Sequence, residues 1–449
     1  MNASRLSRRN FLRTTALATA GTLAAPYVRT AHSAGKLTLG LWDHWVPGAN
    51  EVLEKECKKW AEKNGVAITV DFITSIGFKN ILTAQAESRA HTGHDIMAHP
   101  TWQISIHRDS LEPVDDVVAA ITAAHGPYVP TADYLAKFDG TWRAIPAPIG
   151  SHTYPMVSRL DLFKKYAGID LQAVFPNSPA RDPSLVEAWN YDNFLVAAQK
   201  LFAAGHPFGN PIGATSDSQD WLGSLFLSFG STMVNENGDI TVNSDGTRAA
   251  LEYMTKLTQS MAPDVYAWDD AGNNRWIISG KGSAIQNPPS AWAVCKRDNP
   301  DVAEQLWHHD TPRGPNGRFR GSLPFFWGIW KFSENKQAAK DLMVHLAARD
   351  IVHKLLNASQ GYDMPLLPSY YDDKVWAWAT PPVGVLYNYP VRGDETTIVT
   401  GFPAPPPIAT QIYTQAVIPN LVARVTQGGD SMDDAITWAE NELEGYMRG

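Results

Sequence analysis

Near the start of the chain, LWDHWVPGAN (Leu41 to Asn50) places Trp42, Asp43, His44 and Trp45 side by side after a short alternating run. The two indoles offer broad apolar faces with a negative π surface, and the aspartate and histidine offer hydrogen bonds in a perpendicular direction. The four residues suit core filling, a catalytic loop or one wall of a binding cleft. Other tryptophans also fall outside helical stripes. Trp102 follows a strand-end loop, Trp221 follows the polar stretch Ser216 to Asp220, and Trp292 follows two prolines. Aromatics in such loops line ligand sites more often than those in periodic stripes. Trp60, spaced with Leu53 and Cys57 on one helical face, is expected in the core.

Positioning these residues requires an α/β framework. Lys36 to Leu41 alternates like a strand and ends at the tryptophan pair, where Pro47 and Gly48 break it. Glu51 to Asn64 reads as an amphipathic helix stopped by Gly65, Val66 to Phe72 as a strand, and Phe78 to Ala90 as a helix. Asp95 to Ala98 is a third strand, emptying into His99-Pro100-Thr101-Trp102. Ligands of open parallel sheets lie beyond the carboxyl ends of the strands, so the two tryptophan-bearing loops are candidate neighbours. Further helices are expected at Tyr191 to Ala204, along Ala250-Met254-Leu257, along Ala339-Leu342-Leu346, and from Ser431 to about Met447. Asn237-Gly238 marks a hairpin.

The first 34 residues have the regions of an export signal, and SRRNFLR (Ser7 to Arg13) resembles the twin-arginine motif. Its uncharged run, Thr14 to Ala25, is too short to span a bilayer. Removing the five arginines of this segment leaves a mature chain near −13, which argues against nucleic acid as a partner. The mature length favours two lobes. Cys57 and Cys295 are the only cysteines and are expected to remain unbridged.

Several segments, in order, resemble the extracellular solute-binding proteins of ABC sugar importers. They are FDGTWRAIPAPIGSHTYPMVSRLDLFKKYAGID (Phe138 to Asp170), GSTMVNENGDITVNSD (Gly230 to Asp245), ISGKGSAIQNPPSAW (Ile278 to Trp292) and GPNGRFRGSLPFFWGIWKFSENKQAAK (Gly314 to Lys340). Leu367 stands where related sequences often carry arginine, and the proline cluster Phe402 to Pro407 has the look of a subfamily feature. The resemblance implies a two-lobed periplasmic-binding-protein fold with three interlobe crossings, near Gly150 to Thr153, Gln305 to His309 and Tyr362 to Leu366. One lobe then comprises about 36–150 plus 309–362, and the other about 154–305 plus 366–449. The implied function is capture of a carbohydrate by a periplasmic, monomeric protein that delivers it to a membrane permease, with no cofactor, metal or catalysis.

A sugar ring presents apolar C–H faces and a rim of hydroxyls, so a sugar cleft needs flat aromatics together with carboxylates, amides and histidines. The resemblance adds His99, His152, Phe325 and Tyr362 to the cleft candidates and strengthens the cases of Trp221 and Trp292. Strand alternation allows only some of Phe325, Phe326 and Trp327 to face the ligand. The rival reading is an exported carbohydrate-active hydrolase, with Asp269-Asp270 as its paired carboxylates. Against it, the chain has no GxSxG elbow and no HExxH pair. The clusters His91-His94-His99 and His308-His309-Asp310 lack the pattern of a structural zinc set.

Overall fold

The computed structural model describes residues 35–46, 48–176, 180–378 and 395–448. The export signal and Pro47 lie outside them. In chain order, the strands that shape the cleft are β1 (Lys36–Trp42), β2 (Ala67–Ile73), β3 (Ile96–Pro100), β4 (Ile145–Pro146), β5 (His152–Thr153), β6 (Met156–Arg159), β7 (Ala284–Gln286), β8 (Leu306–His309), β9 (Phe319–Leu323), β10 (Phe325–Ile329) and β11 (Thr396–Ile398).

The first lobe is built on a sheet of order β2-β1-β3-β10-β4. β1 pairs in parallel with β2 and β3, and β10 runs antiparallel between β3 and β4. The central strands are almost wholly buried, while the edge strand β2 alternates exposed and half-buried positions. That contrast is what a covered sheet with one open edge requires. The helix Ala49–Asn64 lays Leu53, Cys57, Trp60 and Ala61 into the core and stops at Gly65, whose φ of 67° suits a residue without a Cβ. The second lobe has a three-stranded antiparallel sheet of order β8-β6-β7, with helices including Tyr191–Ala203, Ser216–Ser228, Asp245–Leu257 and Met432–Met447. Ser431 caps the last of these by accepting the Asp434 amide. At the expected Asn237-Gly238 hairpin, only a single bridge, Val234 to Ile240, forms.

Sheet membership locates the crossings. The first lies between β4 and β5. The second does not fall at Gln305 to His309, because β8 is paired to β6 inside the second lobe; the chain enters the first-lobe sheet at Pro324, between β9 and β10. The third is also later than Tyr362 to Leu366. The Leu366 carbonyl accepts from the Val129 amide, Tyr370 donates to Ala347, and Trp376 donates to Gly361, all within the first lobe. By β11 the chain is in the third sheet, β11-β9-β5. Each strand of that sheet adjoins one crossing, so the three connections run side by side.

The Trp45–Val46 turn carries the chain from β1 into its helix, and Cys57 and Cys295 are buried, unbridged thiols in different core clusters. Burial pushes them up to about 12 and about 11, respectively, so neither is a ready nucleophile. No described helix is long and apolar enough to cross a membrane.

The crossing sheet is fastened by a buried ionic group. The Arg320 guanidinium on β9 lies 2.6 Å from Glu395, just before β11, and 3.5 Å from Asp310, just after β8. Asp310 also takes Arg181 at 2.7 Å, and Glu395 accepts both the amide and the hydroxyl of Thr311. Removing one member of a buried ion group leaves its partner undercompensated. Glu395→Ala is therefore expected to lower unfolding free energy by about 3 kcal/mol in urea titration.

Candidate functional site

The interlobe cleft encloses about 570 Å³. Its floor is a cluster of rings at the junction of the lobes. Trp42, the last residue of β1, stacks on Phe325 at the start of β10, with centroids 4.9 Å apart and planes 27° from parallel. Tyr362 and His152 stand 6.2 Å from the same indole, and His152 contacts both Tyr154 and Tyr362. Gly150, at φ 106°, lets the first crossing pass beneath. A Cβ there would lie 3.2 Å from Phe325 and 3.3 Å from Trp42. Phe326 and Trp327, which strand alternation sends to opposite faces, are both buried away from solvent.

Asp43 and His44 are not in the cleft wall; instead they secure the floor from beneath. His44 Nδ1 accepts the Val46 amide at 2.8 Å, which assigns the proton to Nε2, 3.2 Å from an Asp363 oxygen. Asp363 also accepts the Gly150 amide at 2.6 Å. The exposed Asp43 accepts from Asn50 at the start of the following helix. Both side chains are engaged with local partners at the strand end rather than lining the cleft.

The walls differ in chemistry. On the first lobe, Trp45 and Trp102 are joined by Phe78, Leu82 and Ile106, three of the large apolar side chains most exposed to solvent. On the second lobe, Asp217, Gln219, Asp270, Asn274, Asn287, Ser290 and Tyr413 supply hydrogen-bonding groups. The stretch Ser216 to Asp220 is the first turn of a helix rather than a loop, because Thr215 and Ser218 form a reciprocal capping box. Asn273 donates to Asp217 at 2.7 Å and to Asn287 at 3.0 Å, and Gln219 donates to the Tyr413 carbonyl at 2.6 Å. Burial, reinforced by mutual repulsion, raises the carboxyls of Asp217 and Asp220 well above the usual range; burial also raises Asp270.

Four buried polar atoms on cleft-lining residues have no protein partner: Trp42 Nε1, Thr101 Oγ1, Gln103 Oε1 and Gln219 Oε1. Leaving such an atom unpaired costs about 1–3 kcal/mol, so a bound molecule that completes it gains correspondingly. His152 is poised as an acceptor at Nε2, since its Nδ1 donates to the Gly150 carbonyl at 2.8 Å. Burial lowers its pKa to about 4, which keeps it neutral.

Of the residues singled out from sequence, the structure brings together Trp42, Trp45, Trp102, His152, Phe325 and Tyr362 around the cleft. It places the others elsewhere. His99 is fully buried against His107 and Trp330 in the first lobe. Trp221 points inward and donates to the Pro211 carbonyl, and Trp292 packs in a small core cluster under the Lys296 ammonium, 3.9 Å from its ring. In both cases the flanking residues line the cleft instead: Asp217 and Gln219 before Trp221, and Asn287 and Ser290 before Trp292. Gln219 and Ser290 each stand two positions before their tryptophan, on nearly the opposite side of the helix. Sequence reasoning missed Thr101, Gln103, Tyr154, Asp217 and Tyr413. A signal was available for Asp217, in the Thr-x-x-Ser cap that opens its helix; the others carry none.

Asp269 and Asp270 do not act as a pair. Asp269 is exposed and holds Arg275 at 2.6 Å, while Asp270 lines the cleft and accepts from Ser216 and the Asp217 amide. His94 binds Glu87 and Asp71, apart from His99. Among the described residues, no group of three or more His, Cys, Asp or Glu is arranged to hold a metal ion.

Two α/β lobes, joined by three adjacent crossings with a ring-floored cleft between them, define a two-lobed ligand-binding protein. Residues 46–351 match the model of the bacterial extracellular solute-binding protein family, and the chain belongs to that family. Solved structures of similar fold include a maltose-bound T. maritima protein, at TM-score 0.72 and 19% identity over 92% of this chain and 99% of that one. An ABC-transporter solute-binding protein of Thermotoga lettingae TMO bound with α-D-tagatose matches at 0.70 and 16%, over 92% and 100%. A sugar transporter from Arthrobacter chlorophenolicus A6 with bound laminaribiose matches at 0.70 and 16%, over 92% and 99%. No curated protein matches the chain.

Trp42→Phe keeps a ring on the floor but deletes the unpaired N–H. It is expected to leave the melting temperature of the empty protein unchanged or raised while weakening ligand binding about tenfold, read by calorimetry. The buried histidines give a pH prediction. Burial lowers His107 to about 4, below its unfolded value near 6.5, so the stability it contributes is complete above pH 6.5 and lost as pH falls towards 4. The stability advantage of the native chain over His107→Leu should therefore shrink by about 3 kcal/mol between pH 7 and 4 in denaturant titrations.

Proposed function

We propose that this protein is the exported capture subunit of an ABC importer, which binds a carbohydrate between its lobes and presents the closed form to a membrane permease. The observation that carries the reading is the composition of the cleft: a stacked floor of Trp42, Phe325 and Tyr362 set beside a wall of amides, hydroxyls and carboxylates with unpaired buried atoms. Flat rings match the C–H faces of a pyranose and the opposite wall matches its hydroxyl rim. The sugars held by the similar solved structures point the same way, and the twin-arginine-like segment supports export to the periplasm. Closing the lobes would bring the apolar lip at Phe78, Leu82 and Ile106 over the captured molecule.

The hydrolase alternative has less support. A glycosidase needs two carboxyl groups flanking the scissile bond, whereas the cleft-lining acids, Asp217 and Asp270, stand together on one wall and the facing wall is aromatic and apolar.

A thermal-shift screen of the mature protein against sugars and polyols is the direct test. A ligand at 100 times its dissociation constant should add about 2.7 kcal/mol of stability, and small-angle scattering should register compaction at saturation. A library without a single stabilising sugar would overturn the reading.

A further inference from the structure

Among the described residues, the acids of the cleft have no counter-charge. Asp217 and Asp270 line it and lie against each other, the Asp217 amide donating to an Asp270 oxygen at 3.1 Å, and Asp220 is buried one turn further along. Among the described residues, none of the three takes part in an ion pair; the neighbouring Asp269 is the one that holds an arginine. Their partners are neutral donors: Asn273 and Ser216 for the first two, Tyr413 and Thr400 for Asp220. Among the described residues, no lysine or arginine lines the cleft on either wall. An anionic ligand such as a sugar acid or sugar phosphate would thus meet carboxyl groups with nothing to offset its charge.

A second observation is independent of the acids. Two of the unpaired buried atoms, Gln219 Oε1 and Gln103 Oε1, are carbonyl oxygens that only accept. The orientation of Gln219 is fixed by its amide nitrogen, which donates to the Tyr413 carbonyl. Gln219 is 3% exposed and shares the first helical turn with Asp217. One of these acceptors, Gln219, stands on the second-lobe wall beside the acids and the other, Gln103, on the first lobe, so an occupant that satisfies them must bring donors. The wall also adjoins the rings, since Tyr154 lines the cleft with Asp217 and contacts His152, which contacts Tyr362. An ammonium is the group that supplies several donors, offsets buried carboxylates and is attracted to aromatic faces.

Resting on the carbohydrate reading above, we propose that the cleft selects sugars or cyclitols that carry a basic amine, with the ammonium seated against Asp217 and Asp270. A neutral hydroxyl in the same position supplies one donor and no charge. An N-acetylated amine supplies one donor and additional bulk.

The test compares matched sets by titration calorimetry on the purified mature protein at low ionic strength: D-glucose, D-glucosamine and N-acetyl-D-glucosamine, then cellobiose, its 2,2′-diamino analogue and N,N′-diacetylchitobiose. In at least one set the free amine should bind about tenfold more tightly than the neutral sugar, the difference between a charge-assisted and a neutral hydrogen bond. The acetylated form should lose that gain. Asp217→Asn and Asp270→Asn, with melting curves checked, should bring the amine-to-neutral affinity ratio towards one, whatever they do to either affinity alone. Neutral sugars binding as tightly as their amines in both sets would overturn the proposal and leave the carbohydrate reading standing. An unchanged ratio in both variants would overturn the role of the carboxylates, and with it the proposal. If these compounds and the wider sugar library all fail to bind, both readings fall.

Discussion

One buried carboxylate holds the centre of this molecule together. Asp363 takes the His44 imidazole from the exit of β1 and the Gly150 amide from the first crossing, and it directly follows Tyr362 in the ring floor. Three segments far apart in sequence therefore meet at one side chain with hardly any access to water. Buried hydrogen bonds of this kind are strong because the alternative is an unsatisfied charge in a medium that cannot solvate it. Trp42, Phe325, Tyr362 and His152 inherit their mutual positions from that junction, so the shape of the cleft floor is set by a contact that no ligand touches.

Above the floor, the division of labour between the walls follows from how each is built. The first-lobe wall comes from strand ends and short helices whose side chains pack as hydrophobes, and it offers area. The second-lobe wall is dominated by the amino end of the helix Ser216–Ser228, where capping already demands hydroxyls, amides and carboxylates. The polarity that caps the helix is the polarity a ligand would meet. Burial then raises the pKa values of the acids, and among the described residues no cation pairs with them.

Much of the framework was legible in the residues. The spacing of Leu53, Cys57 and Trp60 gave a helix with its buried face, Ser431 gave a capped start, and the alternation through Lys36 to Leu41 gave β1. The order of the family-like segments gave two lobes. The crossings were legible only in outline, because β8 and the segment through Trp376 pack in lobes that their composition does not distinguish. In the site, tryptophans at strand ends were good guides and tryptophans on helices were not. Trp221 and Trp292 sit on helices, where the residue that faces a cleft is set by rotation about the axis and by tertiary packing that spacing alone does not fix. The polar atoms that matter most, on Thr101, Gln103 and Gln219, are conspicuous only once their lack of partners is seen in three dimensions.

The interleaving of the chain has a consequence for how the protein is made. β10 lies between β3 and β4 in the first-lobe sheet, yet it is not synthesised until residues 325–329. The crossing sheet waits longer still, for β11 at 396–398. An N-terminal fragment on the ribosome therefore carries unpaired strand edges and the aromatic side chains of an incomplete floor, and long-range contacts of this kind form slowly. The first lobe cannot close its sheet as an independent early unit. The assembled cleft is a late product of folding, reached only when β11 has joined β9 in the crossing sheet.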